Sequence, residues 1–230
     1  MAAVPGVFIA LEGGEGVGKT TQWQRLADLL REVGHDVEAV REPGGTPAGD
    51  RIRALLLDPG SSLTAASEAL LFAASRAQLV RTVIVPALAR GAVVLVDRFL
   101  LSTYAYQGAG RGVSIDALRG ANRLATGDCA PDLTVLLDLP FDDAMARQRA
   151  RGASDRLELE ADAFHRRVRE AFDRARSTAW QLDHPEVGPV VSVPADGPVD
   201  SVTVRCLETL VSRWPERFTT AAEAALRAHG

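Results

Sequence analysis

The chain alternates between short, nearly unbroken apolar runs and longer stretches in which apolar residues recur every three or four positions. Residues 7–12 (VFIALE), 92–97 (AVVLVD) and 133–139 (LTVLLDL) belong to the first kind and predict buried strands. Residues 37–40 and 190–193 are weaker and predict a second and a fifth strand. Helical spacing fills the intervals. Residues 19–33 carry Trp23, Leu26, Leu29, Leu30 and Val33, with Gly34 as the C-cap. Pro43-Gly44-Gly45 predicts a turn, 48–57 a short helix closed by Asp58-Pro59-Gly60, and 67–90 a long helix that Pro86 should kink or break. Further helices are predicted at 114–126, 142–151, 158–182, 201–212 and 221–227. Strands alternating with helices, each strand apolar along its length, predict an α/β fold: a doubly wound five-stranded parallel sheet flanked by helices. No repeat or low-complexity linker interrupts the pattern, so residues 1–230 read as a single domain.

The junction of the first strand and first helix carries chemistry. Gly13-Gly14-Glu15-Gly16-Val17-Gly18-Lys19-Thr20 matches G-x-x-x-x-G-K-[ST] in the strand–loop–helix context the motif requires. Glycines let the backbone curl so that successive N–H groups face phosphate oxygens, and the helix adds its positive N-terminal end. Lys19 is placed to reach the β- and γ-phosphates and Thr20 to ligate Mg²⁺. Asp97 ends the third strand, at the rim where ligands bind in doubly wound sheets, and is placed to hold Mg²⁺ directly or through water. Beside it, Arg98 can clamp an acceptor phosphate bidentately.

Composition sharpens this picture. Lys19 is the only lysine among 26 basic residues. An ammonium on a thin stem fits a phosphate cradle that a planar guanidinium would not. A guanine-reading Asn-Lys-x-Asp motif would need a second lysine, so a regulatory GTPase is disfavoured. The net charge of −4 gives no general attraction to nucleic acid or anionic membrane. The apolar runs, such as 92–96, are too short to span a bilayer, and the N-terminus lacks the basic start and apolar stretch of a signal peptide. Cys129 and Cys206 have no partner motif and read as reduced thiols, so a cytoplasmic protein is expected. The four histidines show no metal-ligand spacing.

Several segments in this order resemble thymidylate kinases, specifically the bacterial form with catalytic arginines in its lid. They are 11–21 (LEGGEGVGKTT), 41–46 (REPGGT), 71–78 (LFAASRAQ), 97–99 (DRF), 102–108 (STYAYQG) and 149–156 (RARGASDR). The resemblance covers roughly residues 7–214; residues 215–230 extend beyond it as an amphipathic helix or frayed tail. It implies phosphorylation of dTMP by ATP, Mg²⁺ as cofactor, a homodimer formed through the helices near 70–88 and 114–126, and a mobile lid at about 147–158. ATP would lie on residues 13–21, including Thr21. Phe72 would stack on thymine, and Arg76, one turn later, would donate to O4. Gln107 with Ser102 or Thr103 would complete base recognition, and Tyr106 would pack on the sugar. Arg41 and Arg98 would take the acceptor phosphate, with Glu42 helping to hold the arginine there. Glu15 would face the 3′-hydroxyl and the adjacent arginine or metal. Some members carry an arginine in the P-loop where this chain has Gly16, so Arg149, Arg151 and Arg156 would supply the missing charge from the lid, with Arg147 at its helical edge. Ala153-Ser154 departs from the acidic–apolar pair common at that point.

Two other readings share the P-loop. A different small-molecule kinase would need groups other than Phe72 and Arg76. A non-catalytic ATP-binding module, or an assembly ATPase, would bind ATP without acceptor-stimulated turnover.

Overall fold

A computed structural model describes residues 5–152 and 155–227. Five strands form one parallel sheet: β1 (Val7–Glu12), β2 (Val37–Arg41), β3 (Val93–Asp97), β4 (Leu133–Asp138) and β5 (Val190–Pro194), in the order β2-β3-β1-β4-β5. The register aligns Leu11 and Arg41 with Asp97, so the carboxyl ends of β1, β2 and β3 finish at one level. β1 lies between β3 and β4 in the sheet, and the P-loop follows its carboxyl end, at the rim where doubly wound sheets bind ligands.

Alternate residues of each strand point to opposite faces and enter two separate cores. Phe8 and Ala10 face α3 (Ala65–Leu79), α6 (Ile115–Thr126) and α8 (Asp162–Arg174). Val7, Ile9 and Leu11 face α1 (Lys19–Glu32), α10 (Val199–Arg213) and α11 (Pro215–Arg227). The tail is therefore structural. Phe218, Ala221 and Ala225 are buried, and α11 starts six residues before the predicted helix, at a favourable N-terminal proline. Residues 228–230 of that extension lie outside the described residues.

The remaining helices are α2 (Pro47–Leu57), α4 (Val85–Ala89), α5 (Leu100–Thr103), α7 (Phe141–Arg151) and α9 (Thr178–Asp183). Two local expectations need correction. Pro86 does not break the long helix. A π-helical turn at Val80–Ile84 widens the spiral just before the ring, and the Val85 N–H bonds to the Val80 carbonyl. The resulting continuous helix, 65–89, is long and apolar enough by length and composition to cross a bilayer. It nevertheless carries Glu68 and Arg76 in buried ion pairs and packs on α2 and α6, which is the work of a core helix. The predicted helix at 158–182 divides into α8 and α9, because Ser177 caps a new helix with its side chain on the Trp180 N–H. The segment after α5 continues as a π helix, Tyr104–Gly110, and presents Tyr106 and Gln107 to the crevice.

Candidate active site

The loop after β1 uses glycine where other residues would not fit. Gly16 has φ +74°, and a Cβ there would sit 2.0 Å from the Ala144 carbonyl oxygen on α7. The helix pressed against the loop thus excludes a side chain at the position where some resembling proteins carry arginine. The same helix ends at Arg151, which lines the crevice. The first turn of α1 has neither a side-chain cap nor an acidic residue, which leaves its N–H groups open to an anion. Lys19 is buried and folds back to donate to the Gly14 carbonyl at 2.6 Å. Burial lowers its pKa, as does Arg98; Glu15, Asp97 and Glu12 only partly offset this, and the ammonium titrates at about 8.

The Thr20 hydroxyl donates to Asp97 Oδ2 at 2.7 Å. These are hard oxygen donors, suited to Mg²⁺, which binds through one or two protein oxygens and takes its remaining ligands from phosphates and water. Among the described residues no group of three or more His, Cys, Asp or Glu side chains could hold a metal by itself, which agrees with an ion delivered on a nucleotide.

Arg98 is the one non-glycine residue with positive φ among the described residues, at 68°. That conformation is uncommon and persists where the surroundings hold it. It turns the side chain back over the loop, where Nη1 donates to the Gly13 carbonyl (3.0 Å) and Ser102 Oγ (3.1 Å), and Nη2 to Glu15 Oε1 (2.6 Å). Its guanidinium also lies 4.9 Å from the Tyr106 ring centroid, and the Tyr106 hydroxyl donates to the same Glu15 oxygen at 2.7 Å. Burial pushes Glu15 up, yet Arg98, Lys19, the Tyr106 hydroxyl and Arg151 together outweigh it and hold the carboxyl at about 2. Glu12, wholly buried at the end of β1, accepts from the Phe99 and Ser102 N–H groups and from Ser102 Oγ, which fixes the turn that carries Arg98.

One cavity of about 320 Å³ collects most of the expected residues: Glu15, Gly16, Gly18, Lys19, Thr20, Thr21, Arg41, Glu42, Phe72, Arg76, Asp97, Arg98, Ser102, Thr103, Tyr106, Gln107 and Arg151. Phe72 is half-buried on its wall. Arg76 is 1% exposed and held on several sides: by Glu42, by Asn122 Oδ1 at 2.7 Å, by Thr103 Oγ1 at 2.9 Å and by the Phe99 carbonyl at 3.2 Å. Glu42 was expected to steady the arginine at the acceptor phosphate. It pairs instead with Arg76 at 2.7 Å, because its position just past β2 faces α3 rather than the P-loop. Burial pushes the Glu42 carboxyl up, against the pull of that arginine. Ser102, expected near the base, has its hydroxyl proton on Glu12 and accepts from Arg98, so it orients the arginine.

The three expected lid arginines part company. Arg151 lines the cavity and pairs with Glu158. Arg149 is 69% exposed and 3.4 Å from Asp162. Arg156 is turned away, with Nε on the Leu56 carbonyl (2.9 Å) and Nη2 on Glu68 (2.7 Å). Ala153 and Ser154 lie outside the described residues. The sequence reading missed Glu12, Glu68, Asn122, Trp23 and Arg53. Trp23 donates to the Leu95 carbonyl at 3.0 Å. Arg53 lines the cavity, and burial followed by the charge of Arg41 lowers its pKa, so two guanidiniums converge on the acceptor side. Glu12 alone left a signal, as the one charge in an otherwise apolar strand.

Comparison with known proteins shows the family. A sequence model of the family described as thymidylate kinase matches residues 11–182. A thymidylate kinase of Deinococcus radiodurans is 56% identical over 169 residues, covering 73% of this chain and 81% of that protein. One from Pseudomonas putida is 47% identical over 206 residues, covering 87% and 98%. The crystal structure of thymidylate kinase from Ehrlichia chaffeensis superposes with a TM-score of 0.69 at 28% identity, covering 90% of this chain and 99% of that one. With the family model matching well over half of its length, the chain belongs to the thymidylate kinase family.

Proposed function

We infer that this chain transfers the γ-phosphoryl group of ATP to dTMP, releasing ADP and dTDP and so feeding dTTP synthesis for DNA replication. The observation that carries the reading is a single continuous cavity. It runs from the open N-terminus of α1 and Lys19, past Arg98, to Phe72 and Gln107. A nucleoside triphosphate entering at one end and a nucleoside monophosphate at the other bring their phosphates together at Arg98.

The N–H groups of residues 13–21 and the Lys19 ammonium hold the β- and γ-phosphates. Thr20 and Asp97 would hold Mg²⁺, which when bound neutralises charge on the transferring phosphate oxygens. At the other end Phe72 offers a flat face to thymine, with Arg76, Thr103 and Gln107 along its edge. Tyr106 limits room beside the sugar. Arg41 and Arg98 take the acceptor phosphate. That phosphate is already anionic at neutral pH, so no general base is needed. Glu15, ionised down to about pH 2, serves as the anchor of Arg98 and not as a proton acceptor. Catalysis is then positioning plus charge stabilisation, with Arg151 brought to the γ-phosphate and the solvated Arg149 adding positive charge nearby as the lid closes and excludes water.

The reading extends to assembly and place. Leu70 on α3, Val85 on α4 and Leu124 on α6 are exposed large apolar residues and support a homodimer through those helices. Light scattering on the purified chain should give twice the monomer mass. Two free cysteines fit the reducing cytoplasm, where ATP is supplied.

The test is ADP release measured with dTMP, dUMP, dCMP and dGMP as acceptors. dTMP should support the highest kcat/KM. Absence of ADP release with dTMP would leave the fold and remove the function.

A further inference from the structure

Behind the base end of the cavity lies a carboxylate with no part in the transfer described above. Glu68, in the first turn of α3, is 1% exposed and does not line the cavity. A charge so buried is tolerated only when donors surround it. Here one donor, Gln107, lines the cavity, and the other two, Arg111 and Arg156, come from segments beside it. Gln107 Nε2 donates to Oε1 at 2.9 Å, Arg111 Nε reaches both oxygens at 3.2 Å, and Arg156 Nη2 meets Oε2 at 2.7 Å. Burial alone would raise the Glu68 carboxyl; these hydrogen bonds outweigh it and hold it below the usual range.

Two consequences follow from the geometry. A carboxylate only accepts, so the Gln107 amide must turn its nitrogen toward Glu68, which leaves its carbonyl oxygen as the amide atom available to the cavity. An acceptor there suits a pyrimidine that carries hydrogen on N3 and opposes one with a bare lone pair. The second consequence concerns the lid. Arg156 is fixed three ways, since its own N–H also bonds to the Leu57 carbonyl at 3.1 Å, beside Leu56 and Glu68. Arg111 meanwhile pairs with Glu160 at 2.6 Å. Both ends of 155–160 are thus tied to Glu68, one directly and one through Arg111.

We propose that Glu68 is a positioning residue that joins base recognition to the lid: it orients the Gln107 amide and anchors residues 155–160, with Arg156 acting as a tether and not as a phosphate ligand. The proposal rests on the dTMP kinase reading. It places one carboxylate between the pocket that tests the base and the segment that follows Arg151. Coupling between dTMP and ATP binding therefore passes through a short side-chain network with named members.

Steady-state kinetics on the parent, E68Q, R156M, R156K and E68Q/R156M, with dTMP and dCMP as acceptors and thermal unfolding alongside, tests it. R156M should lower kcat about tenfold while the KM for dTMP stays within about twofold, and R156K should recover most of that loss because an ammonium still pairs with Glu68. E68Q should lower kcat to a similar degree and also reduce the dTMP-over-dCMP preference about tenfold, since a neutral amide no longer dictates which way Gln107 faces. The double variant should match the more affected single variant in kcat within about twofold, as two halves of one ion pair do. Should E68Q fail to melt cooperatively, Glu68→Asp, which shortens the reach to Gln107, carries the selectivity arm. Loss of about 10³-fold or more in R156M would mark a phosphate ligand and overturn the tether. Failure of R156K to recover kcat, unchanged selectivity in the Glu68 variant that folds, or additive losses in the double variant would each overturn the proposal as well. A parent enzyme that ignores dTMP would instead strike the function itself.

Discussion

The phosphate end and the base end of the cavity are built in contrasting ways. At the phosphate end the shape is set by backbone: positive-φ glycines at 13, 16 and 18, an uncapped helix start and a single lysine, all within eight consecutive positions. At the base end the shape is set by side chains that meet from distant segments. Glu68 gathers Gln107, Arg111 and Arg156, and Arg76 gathers Glu42, Phe99, Thr103 and Asn122. A backbone cradle has few alternatives once its glycines are in place. A side-chain network stands or falls with each partner, and removing one strands the others in a buried setting. The first arrangement suits a phosphate chain common to many reactions, and the second suits the discriminating and moving parts.

If that contrast holds, damage to the phosphate end should be severe and hard to repair. Lys19→Ala should reduce kcat by about 10³-fold or more with the fold intact, the scale expected when a preorganised charge at the transferring group is lost. Lys19→Arg should restore little of it, because the planar fork does not fit where the Lys19 ammonium sits 2.6 Å from the Gly14 carbonyl. Near-parental turnover in either variant, measured by ADP release, would break the comparison. Gly16→Ala comes next. It puts a Cβ into the Ala144 backbone at a φ that disfavours side chains, and kcat/KM for ATP should fall about 10²-fold from displacement of the loop alone. A variant with parental ATP affinity would show that α7 yields easily.

In the lid the effects should be uneven. Arg151→Ala should lower kcat by about 10²-fold, and Arg149→Ala by less than about fivefold, since Arg151 lines the cavity and Arg149 is solvated. Equal losses would mean that lid closure reorders the two. The smallest effect is one of pH. Lys19 is charged below about pH 8 and loses its charge above it. kcat/KM for ATP should therefore fall on the alkaline side of about 8, with no acid limb from Glu15, which stays ionised down to about 2. The sign for stability is opposite for Lys19. Its folded pKa lies below the 10.5 of a free lysine side chain, so the unfolded chain holds more protons between about 8 and 10.5 and stability rises across that window. A profile that stays flat through the alkaline range would remove Lys19 from direct contact with the phosphates.

The same contrast explains what the sequence could and could not reveal. All five strands fell where the sequence placed them, but unevenly: β1, β3 and β4, covered on both faces, are unbroken apolar runs, whereas β2 and β5, at the sheet edges and partly exposed, left a weaker mark. The P-loop was readable because its geometry is written in adjacent residues. Pro86 marked a disturbance but not its form, because the π turn that precedes it has no local pattern to announce it. The break between α8 and α9 was hidden in a stretch with helical spacing on both sides. Glu68 and Asn122 left no signal, since their meaning lies in partners 39 and 46 positions away. Arg156 resembled its neighbours in composition and differs from them only in what it touches.

The central claim is that one cavity passes a phosphoryl group between two nucleotides. It is tested most directly by incubating the protein with ATP labelled on the γ-phosphate and unlabelled dTMP, then separating the products. The account predicts label in dTDP, in one-to-one proportion with ADP formed. Label recovered only as inorganic phosphate, with dTMP unchanged, would contradict it.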